Sequence, residues 1–74
     1  MQITLNGELQ AVPEGLSVAG LLRELDIAAR KVAVERNLEI VPKSAYETTP
    51  VEDGDRFEIV HFIGGGGRGR RESD

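Results

Sequence analysis

Seventy-four residues hold one domain at most, near the lower limit for independent folding. Leu, Ile, Val and Phe make up 21 of the 74, about 28%, above the roughly 20% floor below which chains stay disordered. There are no cysteines, which excludes disulfides, thiolate metal sites and a nucleophilic or persulfide-carrying thiol, and the formal net charge is −4. That charge is unevenly placed. Residues 1–67 carry 6 basic and 11 acidic groups, a net −5, whereas Arg68, Arg70 and Arg71 crowd the last seven positions. An acidic body opposes binding to a phosphate backbone, so no nucleic-acid partner is expected. No apolar run reaches the 18 residues of a membrane span, and no signal-peptide pattern opens the chain, so a cytoplasmic location without membrane contact is expected.

Met1, Ile3 and Leu5 alternate with Gln2 and Thr4, Asn6-Gly7 follows, and Leu9 and Val12 resume. Asn-Gly suits a type I′ turn, which needs positive φ at both central positions, so a hairpin is predicted over about residues 2–12. Pro13-Glu14-Gly15 is turn chemistry, and Ser17 offers a capping oxygen to a helix start. Leu16 and Leu21 have the spacing of a hydrophobic staple, and Val18, Leu21, Leu22 and Leu25 repeat at helical period with Arg23, Glu24 and Asp26 facing water. The spacing predicts an amphipathic helix over 17–26.

Val32-Ala33-Val34 and Ile40-Val41 read as two short strands about a turn at Asn37. Between Pro42 and Pro50 there is room for at most a helical turn. Asp53-Gly54-Asp55 is a turn, its carboxylates read as turn formers and not as a catalytic pair. It leads into the longest strand signal, residues 56–63, in which Phe57, Ile59, His61 and Ile63 point to one face and Glu58, Val60 and Phe62 to the other. A strand apolar on both faces belongs in the middle of a sheet. The order ββαββ…β therefore predicts an α+β domain, a mixed sheet of 4–5 strands with one main helix across one face and the first and last strands side by side at the centre. His61, the only histidine, has no cysteine or second histidine to share a metal, so it is read as a strand residue and no metal or catalytic site is expected.

Gly64, Gly65, Gly66 and Gly67 follow this strand directly. They read either as a linker or as a thread, since glycine lacks a Cβ and can pass down a narrow channel into another protein's active site. A phosphate-binding loop is excluded because no helix pattern follows to supply N–H groups. The opening Met1-Gln2-Ile3-Thr4-Leu5-Asn6-Gly7, the segment Val32-Ala33-Val34-Glu35-Arg36-Asn37, the turn Asp53-Gly54-Asp55 and the end Ile59-Val60-His61-Phe62-Ile63-Gly64-Gly65-Gly66 occur in this order and at these separations. On those motifs, residues 1–67 resemble the thiamine-pathway sulfur carriers of the ThiS/MoaD family, ubiquitin-like β-grasp proteins. Molybdopterin-type carriers, which share the fold and the diglycine but are usually longer, or another ubiquitin-like protein modifier, are the second reading.

The resemblance implies a carrier that is a substrate of other enzymes and not itself an enzyme. A ThiF-like, E1-like partner would adenylate its terminal glycine with ATP, the glycine would become a thiocarboxylate, and a ThiG-like thiazole synthase would receive the sulfur. The carrier itself would bind no cofactor and work as a monomer. Carried over by position, the reactive residue is Gly66 or Gly67, with Gly64 and Gly65 as the thread. Val60 and Phe62 are the candidates for docking the adenylating enzyme. The expected organisation is a β-grasp domain at 1–63, a flexible thread at 64–67 and a disordered charged tail at 68–74. Members of the family end at the diglycine, so the tail departs from the pattern. A processing protease, a cloning-derived extension or an uncharged copy would each account for it, and processing is the reading preferred. A different class, an interaction module whose arginine tail contacts RNA or an acidic surface, would show steep salt dependence that apolar docking would not.

Overall fold

A computed structural model describes residues 1–62. In chain order they form β1 (Gln2–Leu5), β2 (Glu8–Ala11), α1 (Val18–Glu24), a 3-10 turn at Ala29–Lys31, β3 (Val32–Arg36), β4 (Glu39–Val41), a second 3-10 turn at Lys43–Ala45, and β5 (Arg56–His61). The sheet order is β2-β1-β5-β3-β4. β1 and β5 pair in parallel, whereas the β1–β2, β3–β4 and β3–β5 pairs are antiparallel. This is the expected mixed sheet, with five strands, one helix and the last strand beside the first at its centre.

Local chemistry explains the hairpins. Asn6 and Gly7 have φ of 50° and 85°, as a type I′ turn requires, and β1 and β2 zip from that turn back to Gln2 opposite Ala11. The β3–β4 turn uses the same backbone at Asn37 and Leu38, with φ of 52° and 73°. A leucine in that position is strained, because its Cβ crowds the backbone in left-handed conformations.

At seven residues, α1 is too short to persist alone and depends on what surrounds it. Its first free N–H groups are all matched: Val18 donates to the Thr49 carbonyl at 2.9 Å, Ala19 to that of Tyr46 at 2.8 Å, and Gly20 to the Ser17 hydroxyl at 3.0 Å. Ser17 is thus the expected cap, and the loop across 42–51 supplies the rest. Leu16 folds back over the first turn, its Cδ2 lying 3.3 Å from where a Cβ on Gly20 would be. The helix stops at Glu24, two residues before the expected end. Asp26 turns left-handed at φ 59°, and the Ile27 and Asp26 amides donate to the Leu22 and Arg23 carbonyls at 2.8 and 3.1 Å, a Schellman closure without glycine.

The core lies between α1 and one face of the sheet. Val18, Ala19, Leu21 and Leu22 of the helix pack with Ile3, Val32, Val34, Phe57 and Ile59 of the strands, and Val12, Val41, Tyr46 and Val51 close the rim. Phe57 is fully buried at the centre. Burying a side chain of that kind contributes about 1.5–3 kcal/mol.

Candidate functional site

β5 is held firmly where it begins. Asp55, the one buried charged residue among those described, accepts hydrogen bonds from Arg36 Nε at 2.8 Å, Asn37 Nδ2 at 3.1 Å and the Glu52 amide at 2.8 Å. Burial alone would push its carboxyl pKa up, but these bonds and the Arg36 charge outweigh burial and hold it below the usual carboxylate value. Asp53 is bound differently, its Oδ1 accepting from the Gln2 amide at 2.8 Å. The two aspartates therefore do build a turn, with Gly54 at φ 85° between them. Asp55 does more than the sequence suggests, because it also ties β3 to the start of β5. Asn6 adds a further tie: its amide oxygen accepts from the Ile59 N–H at 2.8 Å and its Nδ2 donates to the Ile59 carbonyl at 3.2 Å, prolonging the β1–β5 ladder with a side chain.

The far end of β5 is different in kind. Pairing with β3 runs to His61 opposite Val32, and Val60 stands opposite Ala33. The alternation read from the sequence holds as far as Val60: Phe57 and Ile59 are buried under the helix, and Val60 is 61% exposed on the opposite, open face. His61, the last strand residue, is exposed. Phe62 lies past the strand end and is 59% exposed; its amide donates to the Lys31 carbonyl at 2.9 Å. Val60 and Phe62 are thus neighbouring exposed apolar residues at the point where the chain leaves the sheet. Ile63 and the four glycines Gly64, Gly65, Gly66 and Gly67 lie outside the described residues, as does the tail at 68–74.

The open face carries more apolar surface and a charge conflict. Leu9, opposite Thr4, and Ile40, opposite Glu35, are 73% and 65% exposed. Glu58 and Glu35 are directly paired across β5 and β3, and neither joins an ion pair among the described residues. Like charges in that register repel. The repulsion is not visible in the sequence, where the two glutamates are far apart.

Lys43 was also not singled out by the sequence. From the 3-10 turn after β4 its ammonium donates to the carbonyls of Ala29 at 3.0 Å and Val32 at 2.7 Å. The same nitrogen lies 5.7 Å from the Tyr46 ring centre and 5.3 Å from that of Phe62. Tyr46 is buried, which pushes its hydroxyl pKa up against a hydrogen bond with the Val34 backbone. The three-residue spacing from Lys43 to Tyr46 was the available signal for one of these contacts.

Among the described residues, no three His, Asp or Glu side chains come close enough to hold a metal, and no helix is long and apolar enough to cross a membrane. What the described residues offer instead is exposed apolar surface, Val60 and Phe62, just before the glycine run in the sequence.

A family model described as the ThiS family matches residues 3–66. Over 66 residues the chain is 56% identical to a thiazole synthase of Paramagnetospirillum magneticum, covering 89% of this chain but about a fifth (20%) of that one. It is 42% identical to the sulfur carrier protein ThiS of Bacillus subtilis over 50 residues, 68% of this chain and 76% of that protein. The crystal structure of a thiamine biosynthesis protein, ThiS, from Geobacter metallireducens superposes with a TM-score of 0.78 at 42% identity, covering 89% of this chain and all (100%) of that one.

Proposed function

The chain belongs to the ThiS family, and on that premise we propose that it is a sulfur carrier for thiamine biosynthesis, a substrate of partner enzymes in the cytoplasm and not a catalyst. The observation that carries this reading is the end of β5. The central strand delivers two exposed apolar residues, Val60 and Phe62, to the place from which the glycine run departs.

The chemistry follows from the poor reactivity of a carboxylate. A ThiF-like partner would dock on Val60 and Phe62 and take the glycine terminus, Gly66 or Gly67, along a thread formed by Gly64 and Gly65. The carboxylate oxygen attacks the α-phosphorus of ATP, pyrophosphate leaves, and an acyl-adenylate forms. Hydrosulfide supplied by a partner then attacks the acyl carbon, the acyl–phosphate bond breaks, AMP and a proton depart, and the terminal acyl group is left as a thiocarboxylate. The chain needs no cysteine of its own for this and has none. The resulting thiocarboxylate would deliver sulfur to a ThiG-like thiazole synthase. A matching region within a protein named thiazole synthase supports that partner. Because residues 68–74 follow the glycines, the reading needs the chain to end at Gly66 or Gly67, and removal of the tail by a protease is the route preferred.

The test is ATP-dependent adenylation by a ThiF-like enzyme, with and without added sulfide as the sulfur donor, followed by intact mass. Chains ending at Gly66 or Gly67 should release pyrophosphate and acquire a species heavier by the exchange of one oxygen for sulfur, whereas the full chain should not. If none of the three is adenylated, the carrier reading is lost. If the full chain is adenylated as well as the shortened ones, processing is lost.

A further inference from the structure

We propose that Lys43 is a positioning residue, which holds the Phe62 ring in the orientation the adenylating partner reads. The inference rests on the carrier reading and adds a residue to its docking surface. An aromatic ring 59% exposed at a strand end ordinarily samples several rotamers, and a partner must immobilise it at a cost in affinity. Here the ring is not left to itself. Its centre is 5.3 Å from Lys43 Nζ, within the range of cation–π attraction.

The cation is itself fixed. Two of its three N–H donors are used by the Ala29 and Val32 carbonyls, at 3.0 and 2.7 Å, so it cannot drift toward solvent without losing both. Its other ring neighbour, Tyr46, is buried in the core, 5.7 Å away. The ammonium thus links a core ring, the start of β3 and the exposed Phe62. The Phe62 backbone is anchored separately through its amide to the Lys31 carbonyl at 2.9 Å. Backbone and ring are therefore set by different segments, and Lys43 governs only the ring. Neither the apolar pattern nor the charge count exposes this role, because Lys43 reads as an ordinary surface lysine.

Lys43→Met keeps the apolar stem and removes the cation. With a ThiF-like enzyme and a chain ending at Gly66 or Gly67, this variant should raise the KM for the carrier about three- to tenfold while kcat stays within about twofold, the range expected for freeing one side chain. Lys43→Arg, which retains a cation over the ring, should recover most of the loss. Phe62→Leu, which removes the ring that the partner reads, should lose at least as much as Lys43→Met, and the double variant should be no worse than Phe62→Leu alone. A resonance shift of the Lys43 ε-protons caused by the ring, absent in Phe62→Leu, reports the contact directly. Unchanged KM in Lys43→Met, strictly additive losses in the double variant, or no such shift would each overturn the proposal. Failure of the unsubstituted carrier to be adenylated would instead remove the carrier reading on which it stands.

Discussion

The two ends of β5 contrast sharply. At Asp55 and Arg56 the strand is locked by a buried carboxylate with three kinds of donor and by Asn37, which accepts from the Arg56 amide at 2.9 Å and donates its own amide to the Arg56 carbonyl at 2.7 Å. At Val60 and Phe62 the same strand presents apolar surface to water, paired with β3 as far as His61 and then steadied by the Phe62–Lys31 backbone hydrogen bond and one lysine. The first end serves the fold, and the second is the end that the carrier reading assigns to a partner. Polar groups buried without partners are costly, so a network such as that of Asp55 persists when each member is matched. Exposed apolar side chains contribute little to folding, so they are free to serve a partner.

The contrast can be broken most severely at the locked end. Asp55→Ala leaves the guanidinium of Arg36 and the Asn37 and Glu52 donors short of an acceptor, and should cost about 2–4 kcal/mol in denaturant titration. Glu52 still lies 3.6 Å from Arg36, which keeps the loss toward the lower part of that range. The same carboxylate sets a pH dependence. Its folded pKa is depressed, so its contribution is fully present above the unfolded value of about 3.9 and is lost as pH falls through the folded value. Denaturation midpoints should thus be insensitive to this group between neutrality and about pH 5, then fall in acid, and Asp55→Asn should flatten that fall. A fall just as steep in Asp55→Asn would assign the acid sensitivity to other groups.

At the exposed end the expected pattern reverses. Val60→Ser and Phe62→Ala should change unfolding free energy by no more than about 0.5–1 kcal/mol, yet weaken binding to a ThiF-like enzyme by more than about 1 kcal/mol in calorimetry. Equal losses in stability and binding would mean that these residues serve the fold. Away from β5, Leu38→Gly should raise stability by about 0.5–1 kcal/mol in a thermal melt, since it relieves a strained φ of 73° at a residue 76% exposed. Smallest of all, Glu58→Thr should stabilise by about 0.2–1 kcal/mol by ending the repulsion with Glu35. If it also weakens partner binding, the opposed glutamates belong to the docking face.

Local chemistry was legible in the sequence. Asn6-Gly7 can do little but turn, Ser17 caps because its oxygen is within reach of the third helical amide, and the stripe of Val18, Leu21, Leu22 and Leu25 has only one face to bury. The period-two pattern of β5 gave both its central place and the exposure of Val60, since alternation is a property of the strand itself. The reading went further than local pattern permits in extending the helix to 26, where a left-handed Asp26 ends it sooner.

Tertiary structure alone decided the contacts between segments far apart in the chain. Asn6 reaches a strand residue 53 positions away, and Asp55 captures an arginine 19 positions before it. Lys43 meets Phe62 only because the antiparallel β3–β5 pairing carries Phe62 to the carbonyls on which Lys43 is anchored. Turn, cap and period are set by steric and hydrogen-bonding demands within a few residues, so composition and spacing encode them. A buried polar network or a pinned ring depends on which distant segments the packed sheet brings together, and that is settled only when the core closes.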